Sequence, residues 1–251
     1  RDNACGSEPL DSTNAAVAEE TTTWPPWAEA ASLAAKWTSS PTSPSSVSSG
    51  VPVCTPTRTW IGPEARASVI SDAADIARLD RAYSTPQIVD QRRRFRAFLG
   101  ASPGEVGLDV GCGPGHLACE LAKEVAPGGR IVAIDKSPES VDATKARVTN
   151  EELTDSVDVR VGDSTTLEFP DETFDFVVAV QVYSFVPNVA RAIEEAARVL
   201  RKGGRLLILE SDWDMCIWKS RDPVFTRRMI SARAETQFAH AYLPRDLHKL
   251  F

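Results

Sequence analysis

The chain has 251 residues, enough for one sizeable domain or two small ones, and its 28 Lys and Arg stand against 35 Asp and Glu for a net charge of −7. That acidity excludes a protein that coats nucleic acid by bulk electrostatics, and no apolar run reaches the roughly 18–20 residues that cross a bilayer. Five scattered cysteines without a CxxC pair (Cys5, Cys54, Cys112, Cys119, Cys216), and no basic-then-apolar leader, point to a reduced, cytoplasmic setting without a disulfide framework.

Residues 1–68 hold eight of the 17 prolines, and Ser39–Gly50 is almost entirely Ser, Thr and Pro. Such a stretch has too little apolar surface to offset the entropy of ordering it, so a disordered leader is expected. Trp24, Trp27 and Trp37 on an Ala-rich patch leave a short, sticky helix as the other reading. A domain over 69–251 follows, opening with a helical cap over 69–104. Ile70, Ala73, Ala74 and Ala77 recur at helical spacing, and Thr85-Pro86 announces a second helix. Its apolar stripe reads Ile88, Phe95, Phe98, Leu99. Gln91 and Arg92 interrupt that stripe and are read as polar groups tethered by a buried partner rather than facing a ligand.

The core, 105–211, alternates strand and helix. Val106–Val110 is a buried strand, and Leu117, Leu121 and Val125 mark a helix ending at Pro127-Gly128-Gly129. Arg130–Ile134 is the second strand, followed by a helix capped at Ser137-Pro138 with Val141, Thr144 and Val148 on one face. Val157–Val161 is the third strand and Phe174–Val182 the fourth. Asn188 caps a helix with Val189, Ile193, Ala197 and Leu200, closed by Arg201-Lys202-Gly203-Gly204, and Arg205–Leu209 is the fifth strand. This pattern predicts an α/β fold: a doubly wound, Rossmann-like, mostly parallel sheet with helices on both faces and ligands beyond the strands' carboxyl ends.

The first such end reads Asp109-Val110-Gly111-Cys112-Gly113-Pro114-Gly115-His116. Glycines at alternate positions bare the backbone to a ligand and permit the positive φ of a strand-to-helix turn. A dinucleotide fingerprint would need glycine where His116 stands, and no Gly-Lys-Ser/Thr follows to make a P-loop. The loop therefore suits a nucleoside without a pyrophosphate. Asp135 ends the second strand 20 residues after Gly115, where a carboxylate can accept both hydroxyls of a ribose. Asp163, after the third strand, would lie beside an adenine. Cys112, His116 and Cys119 lack a fourth ligand, so no metal is expected.

The order Leu108-Asp109-Val110-Gly111-Cys112-Gly113-Pro114-Gly115, Asp135, Gly162-Asp163, Phe174-Asp175 and Leu200-Arg201-Lys202-Gly203-Gly204 resembles class I S-adenosylmethionine-dependent methyltransferases, of a small-molecule type similar to those of quinone biosynthesis. The resemblance implies that Gly111, Cys112, Gly113 and Gly115 line the methionine part of S-adenosyl-L-methionine, with Asp109 accepting the loop amides. It implies further that Asp135 and Lys136 hold the ribose and that Asp163 and Ser164 flank the adenine. Gln181 to Tyr183 would face the cofactor or the acceptor, and Tyr83 would reach the methionine end. The implied activity is methyl transfer to a small-molecule acceptor, with no nucleic-acid partner and no membrane span.

Such transfer rests on alignment and on exclusion of water, so no catalytic residue is assigned, although His116, Tyr83, Tyr183, His240 and His248 are the candidate bases. An NAD-dependent oxidoreductase stays open if His116 can replace the third glycine, as does a non-catalytic cofactor-binding protein of the methyltransferase type. Residues 212–251 read as a helical segment, with Asp222-Pro223 opening a helix to about Ala241. The family pattern ends with two further strands, which those residues do not supply. A chain shortened at both ends is therefore expected, with Leu206–Leu209 left as an apolar edge.

Overall fold

The computed structural model describes residues 73–213 and 215–250; the expected leader over 1–68, with its three tryptophans, lies outside them. Helices α1 (Ala73–Tyr83) and α2 (Pro86–Leu99) precede β1 (Val106–Val110), α3 (His116–Val125), β2 (Arg130–Asp135), α4 (Pro138–Asn150), β3 (Val157–Val161) and β4 (Phe174–Val180). A 3-10 turn at Tyr183–Phe185 leads to α5 (Val189–Val199), β5 (Leu200–Leu209), α6 (Pro223–Gln237) and the short α7 (Leu243–Asp246).

The five strands are parallel and lie in the order β3-β2-β1-β4-β5, so strand order reverses between β1 and β4. Val110 stands opposite both Ile134 and Ala179, which brings the carboxyl ends of β1, β2 and β4 level. Such a reversal opens a crevice at the strand ends, because the connections leave β1 and β4 toward opposite faces. On one face, Leu117, Leu121 and Val125 of α3 and Val148 of α4 pack on Ile131, Ala133, Phe176 and Val178. On the other, Val189, Ile193 and Val199 of α5 cover Leu108, Val110, Val132 and Val177. Each such side chain, fully buried, contributes about 1.5–3 kcal/mol. The doubly wound arrangement is the one the alternating pattern predicts.

The departures are local. Ala74 and Ala77 are exposed, and α1 instead turns Leu79 toward the glycine loop, 3.7 Å from where a Cβ on Gly113 would sit. In α2 the predicted stripe fails at Phe98, which is exposed, while Arg92 is buried. Arg92 donates through Nε and Nη2 to Glu120 on α3 and through Nη1 to the carbonyl of Tyr83 at 2.6 Å. It is a buried tether; Gln91 faces solvent. In α5 the inner positions are Ala192 and Ala196 rather than Ala197, and the helix stops at Val199.

Residues 201–204 belong to an irregular opening of β5, not to a helix end. The register moves from Phe174 opposite Leu200 to Phe176 opposite Arg205, and Gly203 takes φ 78° within the extra length. Strand β4 ends two residues before the predicted Val182, because Gln181 takes φ 59° and turns the chain out of the sheet. Helix α6 ends at Gln237, four residues before the predicted Ala241. Among the described residues no strand follows β5, whose Leu206–Leu209 are half-buried at the sheet's edge.

The cap is held to the core mainly through arginines, since Arg96 also pairs with Glu120 and Glu124. Replacing Arg92 by Ala leaves Glu120 and the Tyr83 carbonyl without their donor, and is expected to cost about 2 kcal/mol. Urea unfolding followed by far-UV circular dichroism measures it; a loss below that of an exposed pair, about 0.5 kcal/mol, would contradict the tether.

Candidate active site at the carboxyl ends of the strands

Between β1 and α3, Gly111, Gly113 and Gly115 take φ of 70°, 53° and 81°, the left-handed conformation in which side chains are strained. The loop is fixed from below: Gly111 and Cys112 donate their amides to Ile134 O at 2.8 and 3.0 Å, and Thr144 Oγ1 donates to Gly113 O. A Cβ on Gly111 would lie 2.4 Å from Val182, and one on Gly115 2.7 Å from Thr144. Gly113 is the least crowded of the three, since a Cβ there would meet only Leu79 of α1, at 3.7 Å. Helix α3 starts without a side-chain cap, whereas Ser137, Asn188 and Asp222 cap α4, α5 and α6. The first-turn amides of α3 are thus left for an acceptor from outside the helix.

Four carboxyl groups stand at this end of the sheet. Asp135 Oδ2 accepts the Gly113 amide and Oδ1 the Ser137 amide, each at 2.9 Å, yet burial still raises its pKa. Asp163 Oδ1 accepts the amide and hydroxyl of Thr165, and its Oδ2 receives Lys136 Nζ at 3.0 Å. Burial opposes that charge, but Thr165 and Lys136 outweigh it and bring Asp163 down to about 2. Lys136, expected beside Asp135 on a ribose, instead bridges β2 to the end of β3. Ser164 follows Asp163 at the same rim, half-buried.

Asp109 corrects an expectation. The loop amides go to Ile134, Asp135 and Cys112, and Asp109 Oδ2 is buried without a hydrogen-bond partner. Burial, and then repulsion from Asp135, push its pKa up to about 7. Its side chain leaves β1 on the face of Ala133 and Val178, where α3 packs, yet the loop amides find their acceptors elsewhere.

The remaining residues divide. Tyr83 closes α1 over this end of the sheet, where burial, then Asp135 and Glu210, push its hydroxyl up to about 12. Gln181 donates its side-chain amide to Ser211 Oγ at 2.9 Å and so spans the ends of β4 and β5. Cys112 is a buried thiol 3.6 Å from Thr144 Oγ1. Tyr183, a candidate base, is fully buried among Leu108, Val177 and Ala192, with its hydroxyl unpartnered and its pKa raised by burial. It faces the core, not a ligand. His116 lies 2.7 Å from Asp80 Oδ1 on α1 and 3.1 Å from Arg147 on α4; burial and Arg147 lower its pKa. It acts as a strut between cap and core. His240 bonds Pro187 O, outside this cluster.

Residues 108–208 match the family model described as a methyltransferase domain. The fold is similar to the crystal structure of an S-adenosylmethionine-dependent methyltransferase from Aquifex aeolicus, at TM-score 0.53 and 25% identity over 61% of this chain and 80% of that one. Over residues 108–208 this is a methyltransferase domain. The methyltransferase domain is also similar to curated relatives. One is described as an uncharacterized 37.1 kDa protein in transposon TN4556 of Streptomyces fradiae, 39% identical over 56% of this chain and 40% of the relative. Another is the demethylmenaquinone methyltransferase of Symbiobacterium thermophilum, 33% identical over 53% of each. The chain thus spans about half the length of the curated relatives it matches.

Sequence reasoning missed one group at this end of the sheet. Glu210 ends β5 as Asp135 ends β2, and its Oε1 accepts the amides of Val182 and Tyr183 while Oε2 accepts Ser184 Oγ. Burial outweighs those bonds and raises its pKa. The signal was available, since an acid directly follows the apolar run Leu206–Leu209.

A carboxyl group with a higher pKa folded than unfolded keeps its proton longer in the folded state, so its contribution to stability falls as pH rises between the two values. For Asp109 that window runs from about 4 to about 7. Asp109→Asn removes the titration, so the melting temperature of the variant relative to wild type is expected to rise from pH 4 to pH 8. A difference that stays flat across that range in differential scanning fluorimetry would rule out a buried, unpartnered carboxyl.

Proposed function

We propose that this chain binds S-adenosyl-L-methionine and transfers its methyl group to a small-molecule acceptor. The carrying observation is the convergence of a bare, left-handed glycine loop with buried acids of raised pKa at the switch point of the sheet. The cofactor would supply a methyl group already activated on a sulfonium. Buried carboxyl groups reluctant to ionise are stabilised by a cation nearby, which suits a ligand carrying both a sulfonium and an ammonium.

Gly111, Cys112, Gly113 and Gly115 would offer backbone to the methionine part. Each oxygen of Asp135 has accepted one amide and retains a lone pair for a ribose hydroxyl. Asp163, held ionised, and Ser164 stand where the adenine would lie, with Lys136 keeping that carboxylate in place. Asp109, Gln181 and Tyr83 surround the remaining end, Tyr83 as the lid that keeps water out. With Tyr183 sealed in the core and His116 committed to Asp80, no base is assigned; the chain's contribution is alignment of the acceptor with the methyl. The likeness to a demethylmenaquinone methyltransferase makes demethylmenaquinone the first acceptor to try. A reducing cytoplasm suits the buried thiols of Cys112 and Cys119.

Calorimetric titration with S-adenosylhomocysteine tests the reading. Asp135→Ala and Asp163→Ala are each expected to weaken binding about tenfold to a hundredfold, the range for a hydrogen bond to a charged group. Unchanged dissociation constants in both folded variants, or tighter binding of NADH than of S-adenosylhomocysteine by wild type, would overturn it.

A further inference from the structure

The segment that leaves β5 at the carboxyl end of the sheet carries an apolar surface that nothing in the described chain covers. Ile217 is 89% exposed, Met215 66%, Val224 65% and Phe225 60%. Large side chains of this kind, grouped within eleven residues of sequence, mark a contact surface rather than ordinary solvent-facing scatter. Two of them lie together on α6. Thr226, Ile230 and Ala234 form the inner face of α6, which leaves Val224 and Arg228, one turn apart, on an outer face with Phe225. A hydrogen bond between Ser220 Oγ and Thr226 Oγ1 ties the end of the preceding loop to the first turn of that helix.

The charge of this surface is opposite to that of the chain. Lys219, Arg221, Arg227 and Arg228 are all exposed within residues 215–228, against one acid, Asp222. The Asp222 carboxylate is engaged as the helix cap, accepting the Phe225 amide at 2.9 Å. Lys219, Arg221 and Arg228 make no ion pair among the described residues, while Arg191, Arg198, Arg201 and Arg205 are each paired with an acid. On a chain of net charge −7, three unpaired cations among four exposed apolar side chains are a local reversal that solubility does not require.

We propose that residues 215–228 dock the protein on the surface of an anionic lipid bilayer, with Met215, Ile217, Val224 and Phe225 entering the headgroup boundary and Lys219, Arg221 and Arg228 meeting lipid phosphates. Apolar side chains ringed by cations gain on both counts at such an interface, and no spanning helix is needed. A second copy seated on the same patch would set these cations against each other. A nucleic acid would satisfy the cations but give Met215, Ile217 and Val224 no partner, since single strands are held by stacking on aromatic rings. The docking is independent of the methyl-transfer reading and stands or falls by itself.

Sedimentation of the full chain with phosphatidylcholine vesicles, with and without about one-third phosphatidylglycerol, tests it. Binding to the anionic vesicles is expected to be at least about tenfold tighter than to the neutral ones, and to weaken as NaCl is raised from about 0.1 to about 0.5 M. The paired substitutions Ile217→Asp with Phe225→Asp, and Lys219→Glu with Arg228→Glu, are each expected to reduce it at least about tenfold without lowering the melting temperature. Equal or absent partition of wild type on the two vesicle types would overturn the proposal, whether or not the variants fold. So would wild-type binding by the folded variants, a dimer in sedimentation velocity that Phe225→Asp splits, or displacement from vesicles by single-stranded RNA at equal phosphate concentration.

Discussion

The carboxylate of Asp135 accepts the amide of Gly113 through one oxygen and that of Ser137 through the other. One side chain at the end of β2 thereby fixes both the glycine loop after β1 and the start of α4. The loop has few other ways to be held, because three of its residues lack side chains and its own conformation is left-handed. Thr144 and Arg147, both on α4, complete the arrangement by bonding the carbonyls of Gly113 and Pro114. The bareness of the loop, and hence its openness to a ligand, depends on this external scaffold. A loop stiffened by its own side chains would occupy the space it is meant to leave.

The same end of the sheet concentrates acids that the fold does not neutralise in the usual way. Asp163 is paired with Lys136 and held well below the ordinary carboxylate range, whereas Asp109, Asp135 and Glu210 are all shifted upward by burial. Asp109 feels Asp135, and Tyr83 feels Asp135, Glu210 and Asp109, so these groups form one electrostatic unit. Structural ion pairs elsewhere behave differently: Glu195 is lowered to about 2 by Arg198 and anchors the chain before β4 through the Leu167 amide. Asp163 aside, the acids at the strand ends are thus left with less compensation than those in the structural ion pairs.

The sequence made the sheet, its helices and the acids at the strand ends legible, because strand ends carry their own punctuation. An apolar run followed by Asp135, or by Gly162-Asp163, places a carboxyl at a carboxyl end whatever the helices do. The misplacements all arise where tertiary partners decide. Phe98 loses the buried place that its stripe assigns it, since no described neighbour covers it, and Gln91 faces solvent, whereas Arg92 finds in Glu120 and the Tyr83 carbonyl the buried partners read for it. Proximity in sequence suggests Asp109 as acceptor of the loop amides, but a backbone carbonyl and a carboxylate from β2, those of Ile134 and Asp135, take them. Tyr183 looked like a rim residue because it follows β4; the 3-10 turn held by Glu210 rotates it into the core. Such rotations depend on a residue 27 positions away and leave no local trace.

Gly111 and Val182 show how closely two distant stretches are bound. A β-carbon on the glycine would lie 2.4 Å from the valine, whose position follows from the left-handed turn at Gln181 and from the grip of Glu210 on the backbone beyond it. Neither residue is therefore a free choice. Anyone grafting the glycine turn of this domain into another scaffold, or exchanging the peptide after the fourth strand to alter selectivity, must transplant the pair together.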